Sequence, residues 1–567
     1  MLKLHHYFLA TACLTLASLA GFAPGALAAT CNGDTNCSLG TAPYVFGATD
    51  VYGGGSSLIA PYWRQEADCY ASPADLITKG TPPTFVDEKL FDWTGTNPQN
   101  CATTQINPGP TNWYISTGSG SGILGLMGHD PVSFWGEVNT NGPQHFSEVF
   151  YALSDAGLGT TDVGAYNNGD SSYCQGSTCI NIAAPNAQNC SLQSGVYPNP
   201  LQCYGPMVQF PLSVDPVAVF YASKATYERI AGTGKTEIDY HLNVYKGGAN
   251  GGLRLSVKSL CGIYNGTITN WNDPSLTADN NNTSLESLKD PTPQASWSVP
   301  LIPVARSDSS GTTSIATRHW ANVCAGQPGN LYTTGATTIS GAGAGSIVGQ
   351  TYNVSNPNYP GVDTAGRITL APNSSGVAQY VAFTQAPAGE GNRCSAGTVL
   401  PAGYTDCIQQ SRVGYVGADY VLPFVKKSGT NSFNLYSAAL QNFAGTYVLP
   451  SPSAALIALG SAQPPQTSST GVYCPSCLNF GMRNDPTAWV EGLSPSVPLA
   501  NPTALKAYPQ VGTTNFLGYS CYASAATLPN LTGQITYHET ATITTSSSPC
   551  PIRWCGHTPR RAATGCS

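Results

Sequence analysis

An α/β fold is predicted by two observations: short apolar runs suited to strands recur along the whole chain, and segments with helical spacing stand between them. Length is a third, since 567 residues supply two to four domains' worth of chain, enough to bury a large core. Only 9% of the residues are charged, where roughly 25% is usual, against 41% hydrophobic residues, 61 glycines and 43 prolines. That composition excludes a coiled coil, a collagen-like repeat and a charge-driven disordered chain. The net charge is -7, and Lys and Arg are scattered until the last fifteen residues. No basic face is offered to a polyphosphate backbone, so nucleic acid is not expected as a partner.

Residues 1–28 read as a secretory signal peptide, with Lys3 before an apolar run that ends in Ala26-Leu27-Ala28. No other stretch reaches the 18 or so apolar residues of a membrane span, so a soluble mature chain is expected. Nineteen cysteines include Cys13 in the leader. The even remainder, in an exported protein, argues for disulfides. Cys31 with Cys37 and Cys174 with Cys179 are close enough in sequence to close surface loops, although pairing is not fixed by spacing. Cys474-Pro-Ser-Cys477 is the single CxxC, with no second pair to complete a zinc site. Neither a metal nor any other cofactor is expected.

Strand candidates, in order, are Val208 to Phe210, Val217 to Tyr221, Leu301 to Ala305, Val413 to Val416 and Asn515 to Tyr519. Between them, Val257, Leu260, Cys261 and Tyr264 share one helical face that ends near Gly266. Ile315, His319 and Val323 repeat in the same way behind Ser310, which is placed as a helix cap. Intervals 62–112, 160–206, 278–298, 325–372 and 462–488 are loop-like in composition. The SGAGAGS run at 340–346 fails the GxGxxG pattern at Ser346 and is expected to be a loop.

Three segments share one design, with small or hydroxyl residues opening a helix directly after an extended run: GGGSSLIAP at 53–61, STGSGSGI at 116–123 and ARSDSSGTT at 305–313. A helix start presents unpaired N–H groups and the positive end of the helix dipole, and Gly, Ser and Thr let an anion come close. Each alone could be an ordinary cap. Together they point to one anion site.

The order of these segments resembles the substrate-binding protein of the bacterial phosphate ABC transporter, and more narrowly its DING-type subgroup. Asp50-Val51-Tyr52-Gly53-Gly54-Gly55 is similar to the DINGGG start that names the subgroup. SDAGL at 154–158, QFPLSVDPVAVFY at 209–221, LSVKSLCGIYNGTITNWND at 255–273, SSGVAQYV at 374–381, RVGYV at 412–416 and AYPQVGTTNFLGY at 507–519 follow in the family's order. RSDSSGTT is the most specific element. The resemblance implies a two-lobed periplasmic-binding-protein fold of type II, with the ligand in a cleft between α/β lobes and long disulfide-bearing loop insertions. Lobe I would take 29–217 plus 464–522, and lobe II 218–463. Residues 523–567, which show no helical period, are expected to form an atypical, poorly ordered tail.

Carried over residue by residue, the resemblance implies these phosphate contacts. Ser57 and the backbone N–H of Leu58 would come from the first helix start, and Ser119 from the second. Asp155 would accept a hydrogen bond from the protonated phosphate. Arg306 would give a two-pronged contact, with Asp308 orienting it, and Ser310, Gly311 and Thr312 would form the third start. It also implies that Cys261 and Cys324 are paired. An ionised Asp155 only accepts hydrogen bonds, so it would favour HPO4 over fully ionised sulfate.

The function expected is that of an exported, monomeric, non-enzymatic phosphate-binding protein, periplasmic or extracellular, serving uptake through a permease or scavenging. A secreted phosphomonoesterase with weak activity, and a surface or adhesive protein reusing the fold, are the competing readings. No GxSxG elbow or HExxH zinc motif supports the enzyme.

Overall fold

The structure, a computed structural model, describes residues 38–39, 42–43, 50–71, 110, 112–130, 149–175, 178–182, 200–231, 234–244, 252–285, 299–306, 308–324, 369–371, 373–382, 405–409, 411–420, 435–460, 462, 486–491, 498–520 and 527–540. The signal peptide, Cys31, Cys37, the 340–346 run and the Cys474–Cys477 segment lie outside them.

Nine strands form one mixed sheet: β1 (Val51–Gly55), β2 (Asn112–Ser116), β3 (Tyr151–Ser154), β4 (Met207–Tyr221), β5 (Ile302–Arg306), β6 (Thr369–Ala371), β7 (Arg412–Gly417), β8 (Tyr436–Ser437) and β9 (Val511–Tyr519). The helices that matter below are α1 (Ala60–Tyr70), α2 (Ser119–Met127), α3 (Thr160–Asn168), α4 (Val257–Asn265), α5 (Gly311–Val323), α6 (Asn373–Ala382) and α7 (Thr527–Thr540). Across the sheet the order is β6-β5-β7-β4-β9-β3-β1-β2, with β8 also on β4. Both outer groups, β6-β5-β7 and β3-β1-β2, are internally parallel, and β4 and β9 run antiparallel to each other and to their other sheet neighbours.

β4 is one continuous strand where the sequence suggests two. Pro211 and Pro216 mask its continuity, because proline removes a ladder donor and reads as an interruption. The ladder absorbs this with a register shift: Thr514 lies opposite Ser213 and Asn515 opposite Pro211, leaving Leu212 as the extra residue of a bulge. Beyond Pro216, β4 changes partner from β9 to β7, starting at Val217 opposite Gly417. One strand therefore belongs to two halves of the molecule.

Each half has its own core. Val51, Trp63, Trp113, Leu124, Tyr151, Tyr166, Phe516 and Leu531 belong to the first. In the second, β4 is buried on both faces: Val217, Val219 and Tyr221 join Tyr264, Trp271, Trp320 and Tyr415, while Ala218 and Phe220 join Val304, Val377 and Val416. That period-two split, with apolar residues on both faces, is expected of a strand covered by helices on either side.

Segments of the intervals read as loops are helical, including α1, α3 and Pro486–Glu491. α3 has almost no apolar stripe, since only Asp162, Ala165 and Tyr166 are buried in it. The tail contains a larger difference, because Thr527–Thr540 is a fourteen-residue helix packed on α1 and β1. Its buried face is mostly polar, which hides the helical period. Asn530 Nδ2 donates to Asn112 Oδ1 at 2.6 Å, and Asn112 Nδ2 to Gln534 Oε1 at 2.5 Å. His538 pairs with Glu66, and its Nε2 donates to the bulged carbonyl of Leu212 at 2.8 Å.

Cys261 and Cys324 are bonded, tying α4 to the end of α5 across 63 residues. Cys174 and Cys179 close the small hairpin of Tyr173–Gln175 and Thr178–Ile180. Closing a loop as long as the first removes chain entropy equivalent to about 4 kcal/mol. Replacing both Cys261 and Cys324 by Ala is expected to lower unfolding free energy by about 2–4 kcal/mol, read from denaturant titrations.

Candidate functional site

The helix starts flagged by sequence converge where the two halves meet. In the first half, β1 runs into Ser56, Ser57 and Leu58 ahead of α1, and β2 runs through Thr117 and Gly118 into α2. In the second, β5 leads to Asp308, Ser310 and α5, and β6 leads to α6. Strand ends that open directly into helices aim backbone N–H groups at one spot.

Asp155, immediately after β3, stands at the centre and is 3% exposed. It accepts from hydroxyls of both halves. Ser56 Oγ donates to Oδ1, as does Thr514 Oγ1 at 2.7 Å. Ser119 Oγ lies 3.4 Å from Oδ2, and Thr312 Oγ1, across the junction on α5, donates to Oδ2 at 3.2 Å. Burial pushes the carboxyl up to about 6, against the pull of Ser56, Thr514 and Arg306; the nearby Asp215 charge adds to the rise.

Arg306, 1% exposed, forms a two-pronged pair with Asp308 through Nε, at 2.6 Å, and Nη2. Its Nη1 faces Thr312 Oγ1 at 3.4 Å and Ser374 Oγ at 3.3 Å. Asp308 also accepts from the Asn373 N–H at 2.9 Å, fixing α6 beside the arginine. Such a buried pair holds the guanidinium plane in one orientation, leaving Nη1 directed at the hydroxyls.

Of the other predicted residues, Ser57 Oγ lies 2.9 Å from Ser374 Oγ and accepts from the Ser374 N–H at 3.1 Å. Leu58 N–H is turned to Ser56 Oγ at 3.0 Å. Ser310 spends its hydroxyl on capping α5, accepting from Thr313 N–H at 3.1 Å. Gly311 is required by close approach, since a Cβ there would stand 2.5 Å from Ser119 Oγ and 2.7 Å from Asp155 Cβ. Gly118 has φ +94°, a backbone only glycine adopts easily, and a side chain would reach Asp308 Oδ2 at 2.6 Å. Thr117 Oγ1 and Ser309 Oγ beside these starts are buried with no hydrogen-bond partner among the described residues.

Sequence reading left out four participants. Ser56 is adjacent to an assigned residue. Ser374 opens a fourth helix start, and its NSSG segment after a strand repeats the pattern of the other three. Thr514 and Asp215 sit inside strands, where no local pattern marks a ligand-facing hydroxyl or carboxylate.

Together the groups form a buried, donor-rich cluster with a fixed guanidinium and, at its centre, the Asp155 carboxylate of raised proton affinity. That combination suits a small oxyanion that still carries a proton. Residues 201–398 match the family model of a PBP superfamily domain. That segment runs from just ahead of β4 to beyond α6, within a mixed α/β fold. No curated protein matches. Among solved structures, the chain is similar to the phosphate-binding protein from Stenotrophomonas maltophilia at 21% identity and TM-score 0.44, covering 87% of this chain and 84% of that one. It is similar also to the high-affinity periplasmic phosphate-binding protein PfluDING at 18% identity and TM-score 0.44, covering 87% and 86%. The ancestral soluble variant of the human phosphate-binding protein is similar at 19% identity and TM-score 0.44, covering 86% of each chain. No helix among the described residues is long and apolar enough to cross a membrane.

Proposed function

We propose that this chain is an exported binder of hydrogen phosphate, acting as a monomer without catalysis. It captures the ion between lobe I, residues 29–217 with 464–522, and lobe II, residues 218–463, for permease uptake or for scavenging in the periplasm or outside the cell. One observation carries this reading: Asp155 of the first half is buried among hydroxyls from both halves, with the Arg306 guanidinium one hydroxyl away through Thr312. In the bound form, Asp155 accepts the proton of HPO4, Arg306 Nη1 and the Ser57, Ser119 and Thr312 hydroxyls donate to its oxygens, and Asp308 keeps the arginine in plane. The N–H groups of Leu58, Ser310, Gly311 and Thr312 complete the shell from the helix starts. Binding draws the halves together, so the ligand favours the closed state.

Calorimetric titration of ligand-stripped protein at pH 7.5 tests this. One-to-one phosphate binding without a sulfate response is expected; equal responses to both anions, or none to phosphate in folded protein, overturns the reading.

A further inference from the structure

A second carboxylate stands behind Asp155. Ser213 and Asp215 share one face of β4 just past the bulge at Leu212, and Asp215 reaches Thr514 of β9. Asp215 Oδ2 accepts from Ser213 Oγ at 2.7 Å and from the Thr514 N–H at 3.1 Å. Thr514 Oγ1 is 2.6 Å from the same Oδ2 and 2.7 Å from Asp155 Oδ1. A threonine hydroxyl has one hydrogen and can satisfy only one of two carboxylates. The other contact, at hydrogen-bond length, needs a hydrogen from the carboxyl side, since two oxygens cannot stay that close with lone pairs facing. One proton held on one of the two carboxyls would satisfy both contacts.

We propose that Asp215 is a specificity-determining positioning residue, which holds this proton on Oδ2 so that Asp155 remains an acceptor. The inference rests on the phosphate-binding reading above. With Asp215 protonated, its O–H donates to Thr514 Oγ1, and the threonine hydrogen goes to Asp155 Oδ1. Asp155 then keeps its negative charge for the proton of hydrogen phosphate and repels sulfate. If the proton moves to Asp155, the chain of hydrogen bonds reverses, Asp155 Oδ1–H donates to Thr514 Oγ1, and the site loses the negative charge that excludes sulfate.

The surroundings of the pair are defined. Asp155 faces Ser56, Ser119, Thr312 and Thr514, with Arg306 as the nearby cation. Asp215 faces Ser213 and Thr514, with the His538 imidazole of α7 acting on it from behind. Burial raises the proton affinity of both carboxyls, and the charge of Asp215 raises that of Asp155 further.

The test is sulfate competition against phosphate, measured from pH 4.5 to 8, with the midpoint of the acid-side loss of sulfate exclusion as readout. Asp215→Asn supplies a permanent N–H to Thr514 and abolishes the alternative arrangement in which Asp155 holds the proton opposite a charged Asp215, so the midpoint moves down by about one pH unit. Thr514→Val cuts the link and removes a donor from Asp155, so the midpoint moves up, and Thr514→Ser restores it. A role confined to packing would change affinity or stability and leave the midpoint alone. Midpoints that coincide in wild type, Asp215→Asn and Thr514→Val overturn the proposal while phosphate binding stands. Should Asp215→Asn fail to fold, the Thr514→Val and Thr514→Ser pair decides. Wild-type protein that ignores phosphate removes the binding reading and this inference with it.

Discussion

Arg306→Ala is expected to weaken phosphate binding by about 2–5 kcal/mol, a loss of roughly thirtyfold to several thousandfold. The arginine is the cation that acts on Asp155 among the described residues, and its Nη1 is the edge directed at the hydroxyls that would surround the ion. Part of the effect is structural, because the substitution strands the Asp308 carboxylate, 6% exposed, without its partner. Arg306→Ala combined with Asp308→Asn separates the two, since the stranded charge is gone and what remains lost is anion contact. Arg306→Lys keeps the charge but not the planar fork that pairs with Asp308, so binding falls between wild type and Arg306→Ala. Titration calorimetry for affinity and thermal unfolding for stability read the two parts. Undiminished phosphate binding in the double variant would remove Arg306 from the site.

The helix starts were legible because their chemistry is local. Ser119, Ser310 and Thr312 stand where a strand ends and a helix opens, and small hydroxyl residues at such a place have one physical meaning, donors offered to a cap or a ligand. Asp155 was legible only through the order of segments; by itself SDAGL is an unremarkable turn. The polar interior was hidden because strand patterns report which face is apolar. They do not report which hydroxyl, such as Thr514, points at a carboxylate from the next strand. The sequence of β4 suggests two pieces because its prolines sit at positions that a bulge makes tolerable. α7 is hidden for the opposite reason. Its inner face sets Asn530, Gln534 and His538 beside the single buried leucine, Leu531, so a helix held largely by amides and an imidazole shows little hydrophobic period.

Asp155→Asn is expected to convert a selective site into an indifferent one. The amide can donate as well as accept, so sulfate no longer meets a repelling charge, and its affinity rises by on the order of a hundredfold. The wild-type protein should reproduce part of that change with acid alone. Its Asp155 carboxyl is pushed up to about 6 by burial, so below that pH the group holds a proton and becomes a donor. Sulfate competition is therefore expected to emerge as pH falls through about 6 in wild type, and to be present at every pH in Asp155→Asn. The same shift acts on stability. In the folded, ligand-free state Asp155 retains a proton that the unfolded chain has already released between about pH 4 and 6. The folded state binds more protons in that window, so its stability falls as pH rises through it and is regained on acidification. Thermal unfolding of the ligand-free protein should show this component, and Asp155→Asn should lack it. A pH-independent sulfate response in wild type, with an unchanged stability profile in the variant, would mean that the carboxyl at the centre of the pocket does not titrate where its burial requires.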